Sequence, residues 1–261
     1  MKTIEIDELK KMQYEMLVSI DEYCRANSLR YVLAYGTLLG AIRHKGYIPW
    51  DDDIDISMPR PDYEKFLAGF NGRYDDYEVV HSDNSKIYSL PYAKVINNKT
   101  FVIKDLYHQD GIGVNIDVFP VDGLRSKEQI TRSKELFKYL NAKKARITNK
   151  RPFLQNIKLM AAKVVLVFKS MRSLIKEIEA LSKEAPFESS PRTCCLGSFN
   201  SHKEFFPRQM YEDLIEVDFE SKKFFAPRDY DTYLSTIYGK YMELPPVEKR
   251  TSTHHVSYYW K

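Results

Sequence analysis

The sequence predicts an α+β fold: a mixed sheet flanked by helices, with a helical insertion. Three observations lead there. Short runs with strand patterning recur through the first half and return near the C-terminus. Between them lie segments whose apolar residues fall at helical spacing. No internal repeat divides the chain, and 261 residues can bury one large core or two modest ones.

The elements follow in order. Ile6, Leu9, Met12, Met16, Leu17, Ile20 and Tyr23 sit at i, i+3, i+4 and i+7, so residues 5–27 form a helix that Asn27-Ser28 ends. Residues 30–34 are a short strand, Tyr35-Gly36-Thr37 a turn, and residues 38–43 a second helix opening at Gly36-Thr37. Gly46 and Pro49 break the chain. Residues 53–57 alternate acid and aliphatic side chains, which is strand patterning. A helix covers 61–70, beginning near Pro59-Arg60-Pro61. Strands are expected at 77–80, 92–96, 101–103 and 114–119, the last closed by Pro120 and Asp122-Gly123. Residues 126–150 are helical, Pro152 interrupts, and 157–181 form a second long helix. A loop at 185–192, a hairpin of 217–219 with 223–225, a helix at 230–238 and a turn-rich tail complete the chain. The economical division is a catalytic core at 1–125, a basic helical insertion at 126–190, and a C-terminal part, 191–261, that completes the core and substrate site.

Composition excludes several classes. The three cysteines, Cys24, Cys194 and Cys195, have no CxxC spacing, hence no disulfide framework or zinc site, and suit a reducing cytoplasm. The N-terminus is too charged for a signal-peptide core, and no apolar run approaches the ~20 residues that span a bilayer. A cytoplasmic protein, soluble or peripheral on the inner face of the membrane, is expected. Charge is uneven. Residues 136–176 hold eleven Lys or Arg and no Asp or Glu, leaving about −7 on the rest of a chain whose net charge is +4. Within that segment, residues 159–168 are apolar and flanked by cations. They read either as an amphipathic helix on an anionic membrane or as a packed helix with a solvated basic face. No nucleic-acid reading motif accompanies the charge.

The chemistry concentrates in Asp51-Asp52-Asp53-Ile54-Asp55. On a strand Asp53 and Asp55 share a face, and two adjacent carboxylates call for a divalent cation such as Mg²⁺ (or Mn²⁺). Asp117, isolated among the aliphatic residues of 114–119, supplies a third carboxylate if the two strands are neighbours. Three such groups hold two ions and clamp an in-line phosphoryl displacement. Taken alone, an Asp-x-Asp pair reads equally as a solvated acidic loop. Asp52 faces away and caps a turn or bonds Arg43 or Arg60. Asp51 stays open. Gly36 and Thr37, opening a helix after a strand, offer backbone N–H groups to a phosphate. Arg43, His44, Lys45 and Lys94 are cations for a leaving group, and His44 is also a candidate general base or a helix C-terminal cation. Trp50 either faces a quaternary ammonium or packs beside Pro49. His254-His255 are adjacent on an extended tail, so they point apart and make no zinc pair.

This order of strand, Gly, helix, acidic strand and isolated Asp is the plan of the nucleotidyltransferase-like superfamily. The block from Tyr35 to Ile56, YGTLLGAIRHKGYIPWDDDIDI, resembles the signature of the LicD-type phosphocholine transferases, of which fukutin-type phosphotransferases share a version. The likeness continues in Met58-Pro59-Arg60-Pro61-Asp62-Tyr63, Ala93-Lys94-Val95, Asn115-Ile116-Asp117-Val118-Phe119-Pro120, Tyr230-Asp231-Thr232-Tyr233-Leu234, Tyr238-Gly239-Lys240-Tyr241-Met242 and residues 244–250. Residues 126–190 carry no alignable motif. The resemblance implies metal-dependent transfer of phosphocholine from CDP-choline, with CMP released, to a sugar hydroxyl of a teichoic acid or similar surface glycan precursor, which can be lipid-linked. Phosphoethanolamine or ribitol phosphate would need the same metal chemistry. Two other classes compete on the residues: a glycosyltransferase with an Asp-x-Asp motif, and a non-catalytic glycan- or membrane-binding module.

Overall fold

The computed structural model of the chain describes residues 2–85, 88–104, 107–109, 112–145, 152–198, 200–251 and 256–261. The first half runs β1 (Thr3–Ile4), α1 (Ile6–Ala26), β2 (Val32–Leu33), α2 (Tyr35–His44), β3 (Asp55–Pro59), α3 (Arg60–Gly69), β4 (Tyr77–Val80), β5 (Ala93–Asn97), β6 (Thr100–Lys104), β7 (Tyr107–Gln109) and β8 (Asn115–Gly123). The second half runs α4 (Lys127–Lys144), α5 (Phe153–Val165), α6 (Met171–Ser182), β9 (Arg192–Cys194), β10 (Phe206–Pro207), β11 (Leu214–Phe219), β12 (Lys222–Pro227), α7 (Tyr230–Tyr238) and β13 (Val256–Trp260). The class is α+β, as the sequence predicts.

The central sheet has the order β10-β9-β8-β3-β2, and β5 joins β8 while carrying β4 on its other side. Only β3 and β8 pair in parallel; every other pairing among the described strands is antiparallel. Aliphatic alternation explains its depth. Ile54, Ile56 and Met58 of the β3 segment are fully buried, as are Ile116, Val118 and Val121 of β8. The apolar stripe of α1 buries Met16, Leu17 and Ile20 in the same core. A second sheet, β1-β13-β6-β7, and the β11–β12 hairpin complete the architecture.

Several elements depart from the sequence reading. Tyr35-Gly36-Thr37 is the first turn of α2, with Ala34 as its N-cap. β3 begins at Asp55, so Asp53 precedes the strand. β8 does not stop at Pro120. Its antiparallel neighbour β5 pairs with it only as far as Val118 and pairing with β9 begins at Asp122, so the missing proline N–H falls in the gap between them. The single helix expected at 157–181 is two, α5 and α6. Ser170 makes the break, its hydroxyl accepting from the Ser173 N–H at 3.0 Å as an N-cap. The tail supplies β13, a strand that pairs with β1 on one side and β6 on the other.

The helices α4 and α6 build a smaller apolar cluster of their own. Leu136, Phe137 and Leu140 meet Leu174, Ile175 and Ile178 there, and Cys194 and Leu196 join them. α5 buries only Leu159 within its span. All three cysteines are free and buried.

Candidate active site

The parallel register of β3 on β8 places Asp55 directly opposite Asp117. On the other side of β8, β5 sets Lys94 opposite Asp117. The Lys94 ammonium forms an ion pair with Asp117, whose Oδ1 also accepts from Asn115 Nδ2 at 3.0 Å. The sheet thus brings together Asp55, Asp117 and Lys94, three of the residues singled out in the sequence.

Upstream, Asp51, Asp52 and Asp53 form a carboxylate group of their own, and Asp53 and Asp51 bear electrostatically on Asp55. One carboxylate oxygen from each lies within 4.8 Å of the others. Exposure still alternates back to residue 51: the odd positions are partly exposed and the even ones buried. Burial, and then the charges of Asp53, Asp117 and Asp51, push the Asp55 carboxyl well above its ordinary value, with Lys94 opposing. Among the described residues, these five carboxylates share the region with the ammonium groups of Lys94 and Lys10. The Lys10 ammonium donates to the carbonyls of Ile48 (3.4 Å) and Pro49 (3.2 Å). An all-oxygen, net-negative donor set fits a hard divalent cation.

The rest of the site is built around α2. Thr37 is buried, and its hydroxyl accepts from the Asp55 N–H at 2.8 Å. It therefore positions the acidic strand. Gly36 stands against Asp51: a Cβ there would lie 2.6 Å from Oδ2 of that aspartate. The helix start expected to meet a phosphate thus faces a carboxylate first. Tyr35, which opens α2, has φ of 43°, a region costly for a bulky residue. Its ring packs on Phe119 and Tyr233, and its hydroxyl donates to Glu204 at 2.9 Å.

The cations at the C-terminal end of α2 are divided. Lys45 is exposed and caps the helix with φ of 63°. Arg43 donates to the Tyr241 carbonyl at 2.6 Å. His44 is pushed below its ordinary value by desolvation and then by Arg43, which favours the neutral imidazole. Its ring meets the edge of Trp50 at 6.1 Å, and the Arg250 guanidinium lies 5.6 Å from the Trp50 ring centre. The loop that follows is gripped by the β11–β12 turn. The Glu220 N–H donates to the Lys45 carbonyl at 2.8 Å, and its carboxylate accepts from the Tyr47 N–H at 3.0 Å.

Among the described residues no hydrogen bond or ion pair joins Asp52 to Arg43 or Arg60. Arg60 closes on Asp122 with two bonds of 2.6 and 2.9 Å. The Asp52 carbonyl instead accepts from Gln13 Nε2 at 3.1 Å, and the same amide reaches the Asn115 carbonyl at 3.3 Å. Gln13 thereby staples the acidic loop to β8. The reading of the sequence missed it, although a polar residue at a stripe position between Leu9 and Leu17 was a visible signal. Tyr238 and Tyr258 were missed too. Desolvation, followed by the negative charge of Asp55, Asp51 and Asp53 for the first and of Asp52, Asp117 and Asp53 for the second, raises both hydroxyls. His254 and His255 lie outside the described residues.

Residues 28–164, just over half of the chain, match the family model described as LicD/FKTN/FKRP, nucleotidyltransferase domain. The chain is 26% identical over 266 residues to the lipopolysaccharide cholinephosphotransferase LicD of Haemophilus influenzae, covering 98% of each protein. It is also 35% identical over 93 residues to an uncharacterised protein of Rickettsia typhi, covering 34% of this chain and 28% of that one.

Proposed function

Because the chain belongs to the LicD/FKTN/FKRP nucleotidyltransferase family, we propose that it transfers phosphocholine from CDP-choline to a sugar hydroxyl of a cell-surface glycan precursor, releasing CMP. The observation that carries this reading is the register of Asp55 against Asp117, with Asp53 and Asp51 beside them. Asp53, Asp55 and Asp117 are the residues that would hold Mg²⁺ or Mn²⁺, two ions in all, and Asp51 joins them. The cation, when bound, supplies charge neutralisation on the donor diphosphate and acidifies the acceptor hydroxyl.

The chain's own groups do the rest. Thr37 and Gln13 hold the acidic loop in place through the Asp55 N–H and the Asp52 carbonyl. Lys94 balances Asp117 and supplies positive charge where the leaving nucleotide gains negative charge. Arg43 and His44 in the last turn of α2, and Lys45 at its cap, stand as further donors toward that group. Trp50 already presents a ring face to the Arg250 guanidinium, and the same face suits the quaternary ammonium of choline. The full-length likeness to a cholinephosphotransferase favours phosphocholine over phosphoethanolamine or ribitol phosphate. The acceptor is a teichoic acid precursor or a similar glycan.

A screen of CDP-alcohols for divalent-cation-dependent CMP release, with and without sugar acceptors, tests the proposal. CDP-choline should be turned over fastest. Asp53→Ala and Asp117→Ala, each with a wild-type circular dichroism spectrum, should lose at least about a hundredfold in rate. Near-wild-type turnover in either variant overturns the carboxylate assignment.

A further inference from the structure

Helix α5 is oriented opposite to the usual pattern for a helix at the surface of a soluble protein. Phe153, Ile157, Met160 and Val164 recur at i, i+4, i+7 and i+11, which is one face, and that face points to solvent. Their exposures are 77, 45, 53 and 71%. The opposite side, through Leu159 and the Lys163 ammonium that donates to the Lys143 carbonyl at 3.1 Å, anchors the helix to α4. The exposed apolar surface continues from Val165, the last residue of the helix, through Val167 to Phe168, which is 98% exposed. Contiguous exposed apolar surface of this kind marks an interaction site.

Charge decides what covers it. The strip lies within residues 136–176, which carry eleven cations and no acid. Lys158 beside the strip and Arg172 and Lys176 on α6 are exposed. A second copy of the chain would bring the same positive charge against itself, which opposes face-to-face pairing. An anionic lipid surface satisfies both features. It takes aromatic and aliphatic side chains into the acyl boundary and cations among its headgroups. The helix has 13 residues, roughly 20 Å, too short for a bilayer core of about 30 Å, so it lies in the interface. No helix among the described residues is long and apolar enough to cross.

We propose that α5 and the turn after it seat the protein on an anionic membrane surface, apolar strip inward. This inference stands apart from the transferase reading, since it uses none of the site residues.

The test is co-sedimentation of the full chain with vesicles of phosphatidylglycerol and phosphatidylcholine, against vesicles of phosphatidylcholine alone. At low salt the anionic vesicles should bind at least about tenfold more protein, and the excess should fall as salt rises. Val164→Asp with Phe168→Asp should remove most of the binding, and Lys158→Glu should weaken it, with circular dichroism unchanged. Equal binding to both vesicles overturns the proposal, as does wild-type binding by the aspartate variant. Sedimentation velocity showing a dimer that the aspartate variant dissolves, without vesicle binding, assigns the strip to a second copy and also overturns it.

Discussion

Glu204 shows how one buried carboxyl supports the helix that opens the site. Its Oε1 accepts from Tyr35 at 2.9 Å and from Ser198 at 2.7 Å, while Oε2 has no hydrogen-bond partner among the described residues. Burial raises the group from its ordinary 4.5 to about 7, against the pull of those two donors. Between those values the folded protein holds a proton that the unfolded chain has released, so stability falls as pH rises through the window. Ionising such a group in place costs roughly 3 kcal/mol. Glu204→Gln keeps an acceptor for Tyr35 and removes the charge. Wild type should lose melting temperature between pH 5 and pH 8, and the variant should lose less. Parallel melting curves for the two proteins across that range would show that Glu204 titrates as an ordinary carboxylate. The same pair explains how Tyr35 keeps a φ of 43°: the hydroxyl is tied down, and Phe119 and Tyr233 confine the ring.

At the scale of elements, the block Met58 to Tyr63 fixes strand to helix rather than serving the acids. Arg60 joins α3 to the end of β8 through Asp122, which is 1% exposed, and Asp62 joins α3 to Arg30 at 2.7 Å. Removing one partner of a buried pair strands the other charge. Arg60→Ala should cost about 3–5 kcal/mol in urea unfolding, and a loss below about 1 kcal/mol would mean that Asp122 accepts a proton or water cheaply. Much of the candidate site was legible because local patterning fixes it. Aliphatic neighbours placed Asp55 and Asp117 on core strands, while their pairing, conditional in the sequence, is set by the parallel register of β3 on β8. What escaped was set by distance along the chain. Tyr35 meets Glu204 across 169 positions, and Gln13 meets the Asn115 carbonyl across 102. No local period records such contacts. The break at Ser170 was local but masked by apolar residues on both sides of it.

For the molecule as a whole, both chain ends are sewn into one sheet. β13 sits between β1 and β6, and Trp260 N–H donates to the Lys2 carbonyl at 3.0 Å. Deleting residues 256–261 leaves β1 and β6 each with an unpaired edge and removes Tyr258 from beside the acids. The truncated chain should melt several degrees lower and be cut faster by protease near its N-terminus; unchanged melting would show the strand to be dispensable. The grip of the β11–β12 turn on the loop before Asp51 has a consequence in time. Tyr47 leaves the ribosome 173 residues ahead of Glu220, an interval of roughly 10 to 35 s at ordinary elongation rates. For that interval the nascent chain displays its acids without the hairpin that shapes their approach. The loop before Asp51 therefore gains this support only after residue 220 has emerged, long after the acids themselves.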